Sequence, residues 1–251
     1  MHPSLAPRPF TARDGAALVY RELGPADGRP LLLLHGYLST GVGTWISPGH
    51  AARLAEAGHR VIVPDLRAHG ESARPRDAAA YPPDILADDA LDLVATLGLH
   101  DLDVGGYSLG GRIATRLLVR GLRARRAVIA GVGLDDLLAS QNRTPFFLRV
   151  FAEAGTFAPG TPEAMTEEYL RATKGDPEAL VHLLPTVVDL AREDIAAITT
   201  PALVALGDAD RRNAHDLVAL LPDATFLPLR GDHYRSILRP ELGAAMVEHL
   251  A

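Results

Sequence analysis

The segment Gly106-Tyr107-Ser108-Leu109-Gly110, with Gly105 before it and Gly111 after it, constrains this chain more than any other stretch. It reads as G-x-S-x-G, a turn that carries a strand into a helix and projects a serine hydroxyl at the bend. Such a bend leaves little room beside the crossing backbone, and Gly106 and Gly110 lack the Cβ atoms that would clash there. Leu102 and Val104 predict a short strand before the turn, and Gly111 to Val119 predict a helix after it. A glycine-rich turn with a solvent-facing serine fits the same five residues, so their meaning depends on the rest of the chain. The spacing departs from G-x-G-x-x-G, which argues against a dinucleotide site here.

A chain of 251 residues suits one domain with a small insertion. It has no cysteine, which excludes disulfides, thiolate nucleophiles and cysteine metal sites. A net charge of −6 gives no reason to expect nucleic acid or an anionic membrane as partner. Met1 to Phe10 contain three prolines and no apolar core, unlike a secretion signal. The run Leu31 to Leu34 is far too short to cross a bilayer. A soluble, cytoplasmic protein is expected.

Ala16 to Leu23 alternate apolar and polar residues and predict an antiparallel edge strand. The four leucines 31–34 run without alternation into His35-Gly36-Tyr37-Leu38, as a strand buried on both faces would. Ser47 to Gly58 predict a helix stopped by Gly58. Val61-Ile62-Val63 predict a second buried strand closed by Pro64-Asp65, and Arg67 to Ser72 a polar loop. Asp84 to Leu97 predict a helix with Asp84 as N-cap and Gly98 as stop. Arg120, Arg123, Arg125 and Arg126 read as cations complementing the C-terminus of the helix after the elbow. Asp101 and Asp103 suggest that the elbow strand is short.

Ala127 to Val132 form the next apolar strand. The interval 134–198 is too long for a simple connection and reads as a mostly helical lid containing Phe146, Phe147, Phe151 and Phe157. The core domain is accordingly 1–133 with 199–251. Ala202 to Leu206 predict a strand ending in Gly207-Asp208-Ala209-Asp210, and a helix is expected from there to about Leu221. Thr225 to Leu229 predict a further strand, followed by Gly231-Asp232-His233 and a last helix from Pro240 to Leu250. Alternating strands and helices point to an α/β fold with a doubly wound, mostly parallel sheet.

His35-Gly36, the elbow at Ser108, Gly207-x-x-Asp210 and His233 fall in one order, each after a strand. In that order the chain resembles the α/β-hydrolase fold family, in its serine-nucleophile, esterase-like branch. Pro64 to Ser72 also looks like a segment of that family. The similarity covers nearly the whole chain outside the lid. It implies a catalytic triad of Ser108, Asp210 and His233, in the chain order that the fold uses. A serine hydroxyl needs a base to take its proton as it attacks a carbonyl, and a carboxylate to hold that base in the right tautomer.

Asp208 competes with Asp210 for the acid's role. The family's spacing favours Asp210 and leaves Asp208 to bond loop amides. Asp232, adjacent to the histidine, reads as a loop residue. His2, His100 and His249 read as surface residues, and His35 and His69 as structural. The family further implies an oxyanion hole from the backbone N–H groups of Tyr37 and Leu109. Tyr37, Tyr107, Phe146 and Phe147 are candidate substrate contacts, with packing under the lid as the alternative for Tyr37.

A serine rather than an aspartate at position 108 argues against epoxide opening and halide displacement. Leu38 stands where haloperoxidase-like esterases carry proline, and Ala68 where the family usually has glycine. Ester, lactone, thioester and carbon–carbon bond hydrolysis remain open, with a small-molecule acyl substrate. Acyl transfer, or ligand binding without turnover, are the alternatives. No metal or cofactor is expected, since the histidines lack H-E-x-x-H spacing.

Overall fold

The computed structural model describes residues 5–251, so His2 lies outside the described residues. Eight strands form one sheet in the order β1-β2-β4-β3-β5-β6-β7-β8. They are β1 (Arg8–Thr11), β2 (Ala17–Leu23), β3 (Arg29–Leu34), β4 (His59–Asp65), β5 (Leu102–Tyr107), β6 (Ala124–Ala130), β7 (Ala202–Gly207) and β8 (Ala224–Leu229). The six strands from β4 across to β8 run parallel. The second strand pairs antiparallel with both its neighbours. It is therefore not the edge strand that its alternation suggested. The four-residue β1 covers it, too short to show a period, and carries Pro9 where an edge tolerates a missing N–H.

The helices of the core are α1 (His50–Glu56), α2 (Ile85–Thr96) and α3 (Leu109–Val119). Between β6 and β7 come α4 (Leu134–Leu138), α5 (Thr144–Ala152), α6 (Pro162–Ala172), α7 (Pro177–Leu183) and α8 (Arg192–Ala196). The chain ends with α9 (Ala214–Leu220), α10 (His233–Ser236) and α11 (Pro240–Leu250). None of these helices is long and apolar enough to cross a membrane.

Alternation along the strands divides the core in two. Leu32, Leu34, Ile62, Val104 and Ile129 face α2 and α3, packing against Leu93, Ile113 and Leu117. Leu31, Leu33, Val61, Val63 and Val128 face the layer of α1 and α11, against Leu54, Met246 and Leu250. The four leucines of β3 are all fully buried, which explains a run without polar breaks. Each such side chain contributes roughly 1.5–3 kcal/mol of burial.

Several local expectations are corrected. Asp84 does not cap α2 with its side chain. It sits at φ +66, and its carboxylate goes to Arg116 Nε at 2.9 and 3.0 Å. Arg116 of α3 and Arg120 just past its end thus take the group that an amide would have used. Arg120 pairs with Asp88 at 2.8 Å, and Arg125 donates to the carbonyls of Leu250 and Ala251. The cation–carbonyl role expected for the end of α3 is therefore played by Arg125 at the end of α11. The elbow strand is not shortened by Asp103. That carboxylate is fully buried and accepts the Arg126 N–H at 3.0 Å, beside the Arg125 guanidinium. His249 is half-buried, with Nε2 3.0 Å from the Ala127 carbonyl, rather than a free surface residue. The first helix is shorter than expected, preceded by a π-helical turn at Val42–Ile46, and α9 starts only at Ala214.

Strand order reverses between β3 and β5, because the chain leaves β3 for β4 on one side and returns for β5 on the other. Open parallel sheets bind ligands outside the carboxyl ends of the strands at such a point. Leu34 pairs with Gly106, which sets the loop after β3 beside the elbow after β5.

Candidate active site

The elbow is as tight as its glycines suggested. Ser108 sits at φ 55, ψ −115, a conformation that costs a non-glycine residue strain. A Cβ on Gly106 would lie 2.0 Å from the Gly110 carbonyl oxygen, and one on Gly110 would lie 2.1 Å from that of Leu34. The turn can exist only with both side chains absent. It leaves Ser108 at the N-terminus of α3, where the first amides have no helical partner.

Three side chains from three loops meet at this point. His233 Nε2 lies 3.0 Å from Ser108 Oγ, and His233 Nδ1 lies 2.8 Å from Asp210 Oδ2. In this chain of bonds Nδ1–H donates to the carboxylate, and Nε2 accepts the serine proton. Asp208 is engaged elsewhere, accepting the Gly231 N–H at 2.8 Å. Asp232 accepts the amides of Tyr234 and Arg235 and caps α10, the turn that presents His233.

Arg212 was not anticipated. Its Nη1 donates to both oxygens of Asp210, at 2.6 and 2.9 Å, and its Nε lies 3.0 Å from Asp136. The same Nη1 comes within 3.0 Å of His233 Nδ1. That nitrogen cannot accept while it donates to Asp210, so Arg212 acts on the ring as a charge. Burial pushes the Asp210 carboxyl up, but the His233 hydrogen bond and the Arg212 guanidinium outweigh it and leave it below the usual aspartate value. Burial lowers His233 from its ordinary value, Asp210 opposes, and Arg212 and Arg143 add to the lowering. The ring is thereby neutral at pH 7 and available as a base.

The loop after β3 is fixed by two buried histidines. His35 Nε2 accepts the Leu66 N–H at 2.9 Å, with Nδ1 at 2.8 Å from the Gly36 carbonyl. His69 Nε2 accepts the Leu38 N–H at 3.1 Å, with Nδ1 at 2.9 Å from the Arg67 carbonyl. Burial lowers the pKa of both, which keeps them neutral acceptors. Arg67, fully buried between Asp89 and Asp14, pins the second loop in turn. Leu38 adopts φ +63, which a proline ring cannot, so its difference from proline is built into the loop's path. Gly36 packs on Ser108, with the position of its missing Cβ 3.5 Å from Ser108 Cβ. The amides of Tyr37 and Leu109 make no hydrogen bond among the described residues. Both residues line the cavity over Ser108.

That cavity holds about 800 Å³ including its mouth. Its floor is Ser108, Leu109 and His233, and its roof comes from the α4–α8 interval, including Phe147, Leu183 and Leu184. Tyr37 lines it with its ring while its hydroxyl donates to the Leu180 carbonyl at 2.9 Å and the ring meets Phe147 at 4.7 Å. Two expected contacts do not reach it. Tyr107 is buried on the opposite face of β5, in the layer of Leu31 and Leu33. Its hydroxyl bonds the His233 carbonyl and lies 2.9 Å from Ser236 Oγ. Phe146 packs edge-on against Phe147 and under Arg143, behind the lining. The sequence reading also missed Arg112, Asp136, Ser140, Arg143 and Tyr169, all of which line the cavity.

A family model described as the alpha/beta hydrolase fold matches residues 29–224. The chain is 30% identical over 247 residues to the dihydrolipoyllysine-residue acetyltransferase component of the acetoin cleaving system of Pseudomonas putida, covering 87% of this chain and 64% of that protein. It is 38% identical over 127 residues to a non-heme haloperoxidase of Rhodococcus erythropolis, covering 49% and 43%. The chain thus spans less than two thirds of the length of either relative. A thermophilic esterase from Thermogutta terrifontis shares the fold with a TM-score of 0.75 at 24% identity, over 98% of both chains. Other relatives and fold neighbours include a 2-hydroxymuconate semialdehyde hydrolase, a lipase and an enol-lactonase. The chain belongs to the alpha/beta hydrolase fold family.

Proposed function

We propose that this protein is a serine hydrolase that cleaves a small carboxylic ester or a related acyl compound, such as a lactone. The observation that carries the reading is the unbroken series of bonds from Ser108 Oγ through His233 to Asp210 at the floor of a cavity. Ser108 attacks the carbonyl as His233 takes its proton, and the oxyanion forms against the free amides of Tyr37 and Leu109. His233 then returns the proton to the leaving alcohol, and water repeats the sequence on the acyl-enzyme. Asp210 holds the ring and stabilises its cationic form. The α4–α8 interval acts as the lid that sets which acyl groups enter.

Replacing Ser108 with Ala should abolish turnover of p-nitrophenyl acetate and butyrate, and labelling by a fluorophosphonate, with the melting temperature preserved. Retained turnover in that variant would remove Ser108 from the role. An unlabelled, inactive wild type would favour a receptor on the same fold, and faster turnover with added alcohols or thiols would favour acyl transfer.

A further inference from the structure

The charges around the cavity do not balance. Arg112, Arg143 and Arg212 line it, against one lining carboxylate, Asp136. Arg212 is accounted for by Asp210 and Asp136. Arg112 and Arg143 form no ion pair with any described residue. Arg112 Nη2 is shut off from solvent and has no acceptor among the described residues. Arg143 lies over the rings of Phe146 and Phe147, at 5.3 and 5.4 Å, which leaves the rest of the guanidinium without a partner.

Cations partly withdrawn from water are costly unless they are paired or hydrogen-bonded. Burial lowers both guanidinium groups below the usual arginine value, with Arg212 adding to the effect at Arg143, which is the sign of incomplete compensation. Position in the cavity adds a second observation. Arg112 lies four residues beyond Ser108, and its amide bonds the Ser108 carbonyl at 3.0 Å. Ser108 and Arg112 both line the cavity, and with Arg112 in the first turn of α3 its side chain stands about one turn (~5.4 Å) from the nucleophile.

We infer that Arg112 and Arg143 form a carboxylate subsite, and that the acyl compound attacked by Ser108 carries a carboxylate about one helical turn from its scissile carbonyl. The inference rests on the hydrolase reading of Ser108 and narrows its substrate class. Arg212 is taken up by Asp210 and Asp136, and Asp189, the other carboxylate near Arg112, forms no ion pair with it, so an incoming carboxylate finds two guanidiniums without a bonded acid. Arginine's planar fork suits a carboxylate.

The experiment compares p-nitrophenyl hydrogen glutarate with neutral p-nitrophenyl valerate, reading the ratio of their kcat/KM values. Charge-assisted hydrogen bonds in a desolvated site predict a wild-type ratio on the order of 10–100 in favour of the anion. R112Q and R143Q should each lower that ratio about tenfold or more. R8Q, on the edge strand β1 with its side chain 55% exposed, should leave it unchanged. Calorimetry on S108A supplies a readout without turnover: monomethyl glutarate should bind, dimethyl glutarate should not, and R143Q should remove the difference. R143Q keeps the test open if R112Q fails to fold. Ester turnover with equal ratios in all variants overturns the subsite and leaves the hydrolase standing. Arginine-dependent binding to S108A with no ester turnover in the wild type overturns the hydrolase and leaves the subsite. Inorganic phosphate binding S108A as tightly as the half-ester overturns the carboxylate assignment.

Discussion

Asp208 and Asp210 stand two residues apart on one loop, and substituting each by Asn separates a carboxylate that acts through a histidine from one that only ties a loop. In Asp210→Asn the side chain keeps its size, but its amide can meet His233 Nδ1 as a donor. That favours the tautomer with the proton on Nε2, which cannot accept from Ser108. In the serine-protease template such an exchange lowers kcat about 10⁴-fold, or about 5.4 kcal/mol at 1.36 kcal/mol per decade. The same loss is expected here, because His233 Nδ1 lies 2.8 Å from Asp210 and Nε2 is the only ring nitrogen facing Ser108. Stability should fall far less. Arg212 keeps Asp136 at 3.0 Å and the Asn carbonyl as acceptors, so about 1–2 kcal/mol is expected, or roughly 2–8 °C in Tm. Asp208→Asn retains the oxygen that accepts the Gly231 N–H and should keep nearly the full rate. Initial rates on p-nitrophenyl butyrate with parallel melting curves decide the matter. Equal losses in the two variants, or an Asp210→Asn enzyme within tenfold of wild type, would refute the assignment.

Three further outcomes follow from the geometry. The acid limb of kcat/KM against pH should fall below the unperturbed histidine value near 6.5, because burial lowers His233 and only its neutral form accepts the serine proton. Arg212→Gln removes a cation that adds to that lowering and should move the limb to higher pH; a downward move would contradict the electrostatics. Tyr107→Phe deletes the hydroxyl that holds the His233 carbonyl and Ser236. At about 1 kcal/mol per lost bond, kcat should drop on the order of tenfold with KM nearly constant; an unchanged kcat would show that Asp210 alone positions the ring. Gly110→Ala places a methyl 2.1 Å from the Leu34 carbonyl oxygen and should give no soluble folded protein. Gly49→Ala, at φ +87 in open space, should cost only about 1 kcal/mol by chemical denaturation.

Much of the fold was legible because its signals are local. Leu31 to Leu34, Val61 to Val63 and Ala202 to Leu206 are apolar runs bounded by turns, and Ser108, Asp210 and His233 each follow such a run. Distant partnerships were less legible. Asp103 read as a blemish in a strand, since nothing near it announces Arg125 and the Arg126 amide. Asp84 read as a cap, since the competing arginines lie some thirty residues on, in and just after α3. Tyr107 could have been placed correctly from period two alone. It shares a face of β5 with Gly105, which pairs with Leu33, so its ring had to enter the layer opposite to α3. Arg112 also left a signal, its place in the first turn of the helix that the elbow opens. Arg143 left none, because the 3₁₀ helix at Ser140–Arg143 is only four residues long, too short for its period to show in the sequence.

The groups proposed to react and the groups proposed to select a substrate come from different kinds of structure in this chain. Pairing of Leu34 with Gly106 sets the loop after β3 beside the elbow, while β7 and β8, paired from Ala202 to Gly207, bring Asp210 toward His233. The buried bonds of His35, His69 and Arg67 then leave the loops little freedom. A substitution in this layer disturbs the sheet along with the chemistry. Arg143, Phe147 and Leu184 belong to the interval after β6 and make no strand pairs. Arg112 projects from a helix whose core contacts fall to Ile113, Ala114 and Leu117. The cavity's charge can therefore change without altering the elbow or the register around it. On the proposed reading of Ser108, His233 and Asp210, the two guanidiniums without ion pairs point to an anionic acyl compound.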